Sequence, residues 1–112
     1  MSVNKVVFVC SPYAGDVEAN TRRARRYCRF AVTRGFIPMA PHLLFPQFLN
    51  DDDPHERELG LSCGNAQMIK CDEIWVFGRT ISSGMAAEIE QARRKNLRLR
   101  YFTETCEEVA VI

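Results

Sequence analysis

The chain has 112 residues, of which 46% are hydrophobic and 26% charged, with a formal net charge of +1. That length fits one domain spanning residues 1–112, able to bury well over half of its unfolded surface without a disulfide or metal staple. The near-neutral balance excludes the global field that draws basic proteins to nucleic acid or anionic membranes, so any ligand must be read from a local site.

Met1 to Lys5 leads into a strand without the apolar stretch of a signal peptide, and no run approaches the ~20 apolar residues of a membrane span. A cytoplasmic protein with no membrane partner is expected. Val6-Val7-Phe8-Val9-Cys10 is a continuous apolar run stopped by Ser11-Pro12, the pattern of a strand buried on both faces in a parallel sheet. From Asp16 to Arg34 the period becomes helical, with Ala24, Tyr27, Cys28, Ala31 and Val32 on one side and six arginines between Arg22 and Arg34, ended by Gly35. No aromatic platform is interleaved with those arginines, so they read as a solvated face and no stable nucleic-acid complex is expected.

Phe36 to Ala40 reads as a short second strand whose Pro38 points to a sheet edge. Pro41 to Asp53 reads as a long loop carrying His42, Phe45 and Phe48, and loops of this length tend to be functional. Asp53-Pro54-His55-Glu56 then opens a helix, with Asp53 as N-cap and Glu56 in the capping-box position, running to about Lys70. Glu73 to Phe77 forms a third strand, Ser82 or Ser83 caps a helix reaching Lys95, Leu97 to Phe102 forms a fourth strand, and Val109 to Ile112 supplies a fifth. This alternation predicts an α/β, three-layer, Rossmann-like fold: a mostly parallel sheet of four to five strands with helices on both faces.

The cysteines, Cys10, Cys28, Cys63, Cys71 and Cys106, are odd in number and irregularly spaced. They read as reduced and mostly buried thiols rather than a zinc site or a disulfide framework. The Asp51-Asp52-Asp53 run is accounted for by helix capping and solvent exposure, so no metal is assigned, and no cofactor is expected.

Ligands of open α/β sheets bind beyond the carboxyl ends of the strands. That rule selects Ser11-Pro12-Tyr13, the His42 loop, and Gly78 to Glu88. Ser82-Ser83-Gly84 opens a helix, where free amides favour a phosphate or carboxylate; it reads also as an ordinary N-cap followed by a small residue. Glu88 lies one turn further, bordering the apolar stripe Met85, Ile89 and Ala92. An acid there can serve as nucleophile or general base, and it reads also as a solvated helix-face glutamate paired with Arg94 or Gln91. Asp72 precedes its strand, which suits a capping or turn role. Tyr13 can hydrogen-bond or stack on a ligand, and His42, Phe45 and Phe48 can wall a planar base.

The segments Val9-Cys10-Ser11-Pro12-Tyr13, Cys71-Asp72-Glu73-Ile74-Trp75-Val76-Phe77 and Gly84-Met85-Ala86-Ala87-Glu88-Ile89-Glu90-Gln91-Ala92 together resemble the nucleoside 2-deoxyribosyltransferase-like superfamily, in an uncharacterised branch. The resemblance implies cleavage of the N-glycosidic bond of a nucleoside or nucleotide, with self-association into a homo-oligomer. It places Glu88 as the nucleophile, Asp72 and Tyr13 as its catalytic neighbours, and Ser83 and Gly84, with Ser11, at a 5′-phosphate. Pro12, His42, Gly78, Arg79 and Ser82 complete the expected substrate contacts. No second acid occurs between Gly78 and Gly84, where transferases often carry one for the base, which leans the expectation toward hydrolysis. The alternative is a non-catalytic nucleotide-binding module of the same fold.

Overall fold

A computed structural model describes residues 5–110. Two strands without a polar break form its centre. β1 (Lys5–Cys10) is buried from Val7 onward, and β3 (Glu73–Phe77) is buried along its whole length. They pair in parallel, Val7 opposite Glu73 and Cys10 opposite Val76. β2 (Phe36–Met39) lies parallel on the outer side of β1, and β4 (Arg98–Phe102) lies parallel on the outer side of β3. β5 (Glu108–Val109) adds antiparallel to β4, giving the order β2-β1-β3-β4-β5. Pro38 sits opposite Val7 on the edge strand, where its missing N–H costs no ladder bond. Of the expected fifth strand 109–112, residues 111 and 112 lie outside the described residues, and the observed strand begins one residue earlier.

Alternation along the strands splits the core into two layers. Val7, Val9, Trp75, Phe77 and Phe102 face α1 (Val17–Thr33), which contributes Tyr27 and Ala31. Phe8, Cys10, Ile74 and Val76 face the other way, toward α3 (Pro54–Met68) and α4 (Ser83–Arg94), which contribute Met68, Met85, Ile89 and Ala92. The helices therefore cover both faces, as the βαβ pattern predicts. No helix among the described residues is long and apolar enough to cross a membrane.

Local chemistry sets the helix ends. Asp16 accepts from the Ala19 amide at 3.1 Å, Asp53 from His55 at 3.0 Å, and Ser82 from Met85 at 3.2 Å. Gly35, at φ +84°, follows the end of α1 in the left-handed region that glycine adopts freely. Glu56 does not close a capping box on Asp53; its carboxylate instead accepts from the Asn50 amide at 2.7 Å and pins the loop ahead of the helix. The expected loop from Pro41 is partly ordered into α2 (Pro41–Leu44) and a 3₁₀ turn (Phe45–Gln47), each with a proline among its first two residues.

The cysteines also differ from expectation. Cys10 and Cys71 are buried, Cys28 and Cys106 are half-buried, Cys63 is exposed, and all are free. Where α1 no longer covers the sheet, the Arg100 guanidinium lies 5.2 Å from the Trp75 ring centroid and 2.7 Å from Glu108, sealing the aromatic layer with a cation. Trp75 itself is fully buried and donates its indole N–H to Glu73 at 2.8 Å. Trp75→Ala is expected to cost about 3–5 kcal/mol, read from urea denaturation; a loss below about 1 kcal/mol would show that this layer collapses to refill the space.

Candidate functional site

The strand order reverses between β1 and β3, so their connections leave in opposite directions and open a crevice beyond their carboxyl ends. A cleft of about 600 Å³ lies there. One wall is the loop after β1 with α2, and the other walls are α3 and α4 along its length.

Ser11 continues directly from β1 and is 2% exposed. Its hydroxyl oxygen has no hydrogen-bond partner, and the same holds for Oε1 of Glu88. Both residues line the cleft. Unpaired buried polar atoms are uncommon, because each forgoes solvation worth about 1–3 kcal/mol. Two of them fall on residues that line one cleft, which makes it the candidate site.

Glu88 is carried to this point by the apolar stripe Met85, Ile89 and Ala92, which seats α4 on the sheet. Burial pushes its carboxyl up to about 7, and the neighbouring Cys10 thiol offsets part of that rise. The alternative reading of Glu88 as a helix-face acid paired with Arg94 is not met, since Arg94 binds Glu90 at 3.5 Å. An acid titrating near neutrality can donate, accept or attack within the physiological range.

Across the cleft Tyr13 and His42 stack, with centroids 4.7 Å apart and planes inclined by 18°. Burial lowers the pKa of the His42 imidazole, while Asp51 opposes the shift. Asn20 fixes the loop that carries Tyr13, donating to the Tyr13 carbonyl at 3.0 Å and to Ala14 at 3.2 Å. Ser82, Ser83 and Gly84 line the mouth of the cleft at the start of α4. The Ser82 hydroxyl is engaged as the N-cap, which leaves the Ser83 and Gly84 amides as the free donors there. A Cβ placed on Gly84 would meet nothing within 4 Å, so the approach is open.

Not every expected residue reaches the cleft. Asp72 stands at the opposite end of β3, where it exchanges two bonds of 2.7 Å with Val6, one through its amide and one through its carboxylate. It extends the β1–β3 pairing and is not a neighbour of Glu88, as its place before the strand dictates. Pro12, Gly78 and Arg79 also lie outside the lining. Gly78, at φ +93°, turns the chain away and donates to the Phe102 carbonyl at 2.9 Å. Arg79 is exposed. Phe45 lines the cleft, whereas Phe48 is 63% exposed and packs edge-on against it at 5.9 Å. The residues that sequence reasoning missed are Asn20, which holds the Tyr13 loop, and the α3 wall, including Arg57, Gly60, Gly64 and Asn65. Among the described residues no cluster of three or more potential metal ligands forms.

The model of a family described as a domain of unknown function, DUF7768, matches residues 5–102. The chain belongs to this family. No curated protein matches it in sequence. Among solved structures it is similar to a 2-deoxyribosyltransferase from the psychrotolerant bacterium Bacillus psychrosaccharolyticus, with a TM-score of 0.73 and 12% identity, over 93% of this chain and 76% of that one. The DUF7768 chain thus has the nucleoside 2-deoxyribosyltransferase-like fold, as the sequence resemblance implies.

The raised Glu88 carboxyl makes stability depend on pH. The folded state holds this proton more tightly than the unfolded chain, so ionisation erodes stability as pH rises from about 4.5 to about 7, and the whole cost is present above that. Glu88→Gln stays neutral throughout. It is expected to match the parent near pH 4.5 and to exceed it by roughly 1–3 kcal/mol near pH 8, measured by urea denaturation. Equal stability at both pH values would mean that the carboxylate is not desolvated.

Proposed function

We propose that this DUF7768 chain cleaves the N-glycosidic bond of a deoxynucleoside or its 5′-monophosphate, with Glu88 as the nucleophile. The observation that carries this reading is the enclosed Glu88 carboxylate, unpartnered at Oε1, in a cleft at the strand ends. The fold shared with a 2-deoxyribosyltransferase supports it, and a cleft of about 600 Å³ suits a nucleotide-sized ligand. The Tyr13–His42 stack offers a flat face to a base, and the Ser83 and Gly84 amides offer donors to a phosphate.

In this reaction a Glu88 oxygen forms a bond to the anomeric carbon as the carbon–nitrogen bond breaks. That bond's electron pair leaves with the base, which takes up a proton from water. Water then attacks the glycosyl ester, releasing the sugar and restoring the carboxylate. The absence of an acid between Gly78 and Gly84 favours water over a second base as acceptor. Self-association belongs to the same reading. The placement of Asp72 at the far end of β3 favours one competing reading, a module that binds the nucleotide without cleaving it.

Free base released from a panel of deoxynucleosides and their monophosphates tests the proposal. Release is expected, with kcat/KM rising through about pH 7 as the nucleophile ionises. Glu88→Ala is expected to lower it on the order of a thousandfold or more. Thermal stabilisation by a nucleotide that is never cleaved would support the binding module instead. Release unchanged by Glu88→Ala would sink the assignment of the nucleophile.

A further inference from the structure

Ser11 is a polar group that the reaction above leaves unused. It follows Cys10 at the end of β1, is 2% exposed, and lines the cleft. Its hydroxyl oxygen has no hydrogen-bond partner among the described residues. The backbone on either side is fixed. Cys10 lies opposite Val76 in the sheet, and Asn20 holds the carbonyls of Tyr13 and Ala14 at 3.0 and 3.2 Å. The hydroxyl is therefore kept inside at a cost in lost solvation. It can both donate and accept, so a second hydroxyl is a natural partner.

A deoxynucleoside has three polar parts to offer: the base, the 5′ group and the 3′-hydroxyl. The flat Tyr13–His42 pair suits the base. A 5′-phosphate, which the family resemblance would bring to Ser11, carries charge that needs cations or solvent. The arginines lining the cleft, Arg57 and Arg94, are both exposed, and Arg94 is paired with Glu90 at 3.5 Å. Ser83 and Gly84 are exposed as well, so the charged end of a nucleotide is better served at the mouth. The 3′-hydroxyl remains, and stereochemistry favours it. In a β-nucleoside the base and the 5′ carbon project from one face of the sugar, and the 3′-hydroxyl projects from the other. A nucleophile that displaces the base approaches from the face opposite to it, so the 3′-hydroxyl turns toward the side that carries Glu88. Oε1 of Glu88 is enclosed and unpartnered, like the Ser11 hydroxyl.

We propose that Ser11 is a specificity-determining residue: its hydroxyl pairs with the 3′-hydroxyl of the deoxyribose, so that the cleft selects sugars carrying this group. The proposal rests on Glu88 as the reacting group, which sets the face of the sugar presented to Ser11. A site that hydrogen-bonds a ligand hydroxyl rejects an analogue lacking it, because the site's own polar group is then left unpaired. Binding of the right sugar relieves the cost that the ligand-free protein carries at Ser11.

The test is calorimetric titration with four probes: a 2′-deoxynucleoside, its 2′,3′-dideoxy counterpart, and the 5′-monophosphates of both, taken with whichever common base binds tightest. It uses Glu88→Gln protein, which forms no glycosyl ester and leaves the probes intact, with and without Ser11→Ala. With Ser11 present, loss of the 3′-hydroxyl is expected to weaken binding roughly tenfold or more, with or without the phosphate. Ser11→Ala is expected to shrink that ratio to within about twofold, and to raise the melting temperature of the ligand-free protein by a few degrees. A loss confined to the two monophosphates would return Ser11 to the phosphate and overturn the proposal. A lowered melting temperature with an unchanged ratio, the mark of a structural hydroxyl, overturns it too, and so does failure of all four probes to bind. The expected ratio in a protein whose parent form releases no base retains the Ser11 contact and rejects only the glycosidase reading. Base release with a ratio that Ser11→Ala does not move rejects only the Ser11 contact. Should Ser11→Ala fail to fold, Ser11→Cys, a weak donor in nearly the same volume, decides by the same ratio.

Discussion

The parallel pairing of β1 with β3 is the constraint on which the rest of the molecule depends. Val7 to Cys10 and Glu73 to Val76 are locked residue against residue, with helices packed on both faces. The register decides which side chains end together at the carboxyl edge. It puts Cys10 opposite Val76 and lets Ser11 emerge where the chain turns toward the cleft. α4 then lies on the same face through Met85, Ile89 and Ala92, and Glu88 follows from their spacing. A one-residue slip would turn Cys10 toward α1 and take it away from α4. Full burial of side chains as large as Trp75, Phe8 and Phe77 supplies about 1.5–3 kcal/mol each, enough to offset two unsatisfied polar atoms at about 1–3 kcal/mol each.

Two glutamates lie in low-dielectric surroundings in this small domain, and their contrast separates structure from chemistry. Glu73 accepts from the Trp75 indole at 2.8 Å and faces Arg100 at 3.3 Å and Arg98 at 3.6 Å. Its charge is compensated on every side, so it behaves as part of the sheet. Glu88 has no cation and no donor at Oε1, and burial dominates its titration. A carboxylate left bare in this way costs stability, which is the physical ground for proposing it as the reacting group. Burial alone therefore does not single out a candidate acid. The difference in partners does.

Much of this was legible in the residues. Unbroken apolar runs announce β1 and β3, Asp16, Asp53 and Ser82 announce their helices, and Pro38 announces an edge. What was hidden depends on distances that local pattern does not carry. α2 and the 3₁₀ turn span four and three residues, too short for a period to show. α3 buries only Gly64 and Met68, so its place as a cleft wall leaves no apolar stripe to read. Cys10 and the Met85 carbonyl meet across 75 positions of sequence, and only the packing of α4 on the sheet brings them together. Asp72 shows the opposite case. Its place before the strand already pointed to a turn role, and the resemblance argued against that; the two bonds to Val6 settle it in favour of local position.

The two walls of the cleft are built to different standards. The α4 wall and the end of β1 are anchored in the core by fully buried side chains, so the Glu88–Cys10–Ser11 group is held before any ligand arrives. Such a preset arrangement lowers the cost of orienting groups during reaction. The α3 wall has less beneath it. A Cβ placed on Gly64 would meet the Pro41 ring at 3.5 Å, and Leu59 and Leu61 remain 44% and 58% exposed. Its inward residues, Gly60 and Gly64 among them, leave the cleft wide rather than fill it. On the proposed reading the reacting groups belong to the side anchored in the core, and the ligand's outer parts would meet the side where a change of residue disturbs the core least.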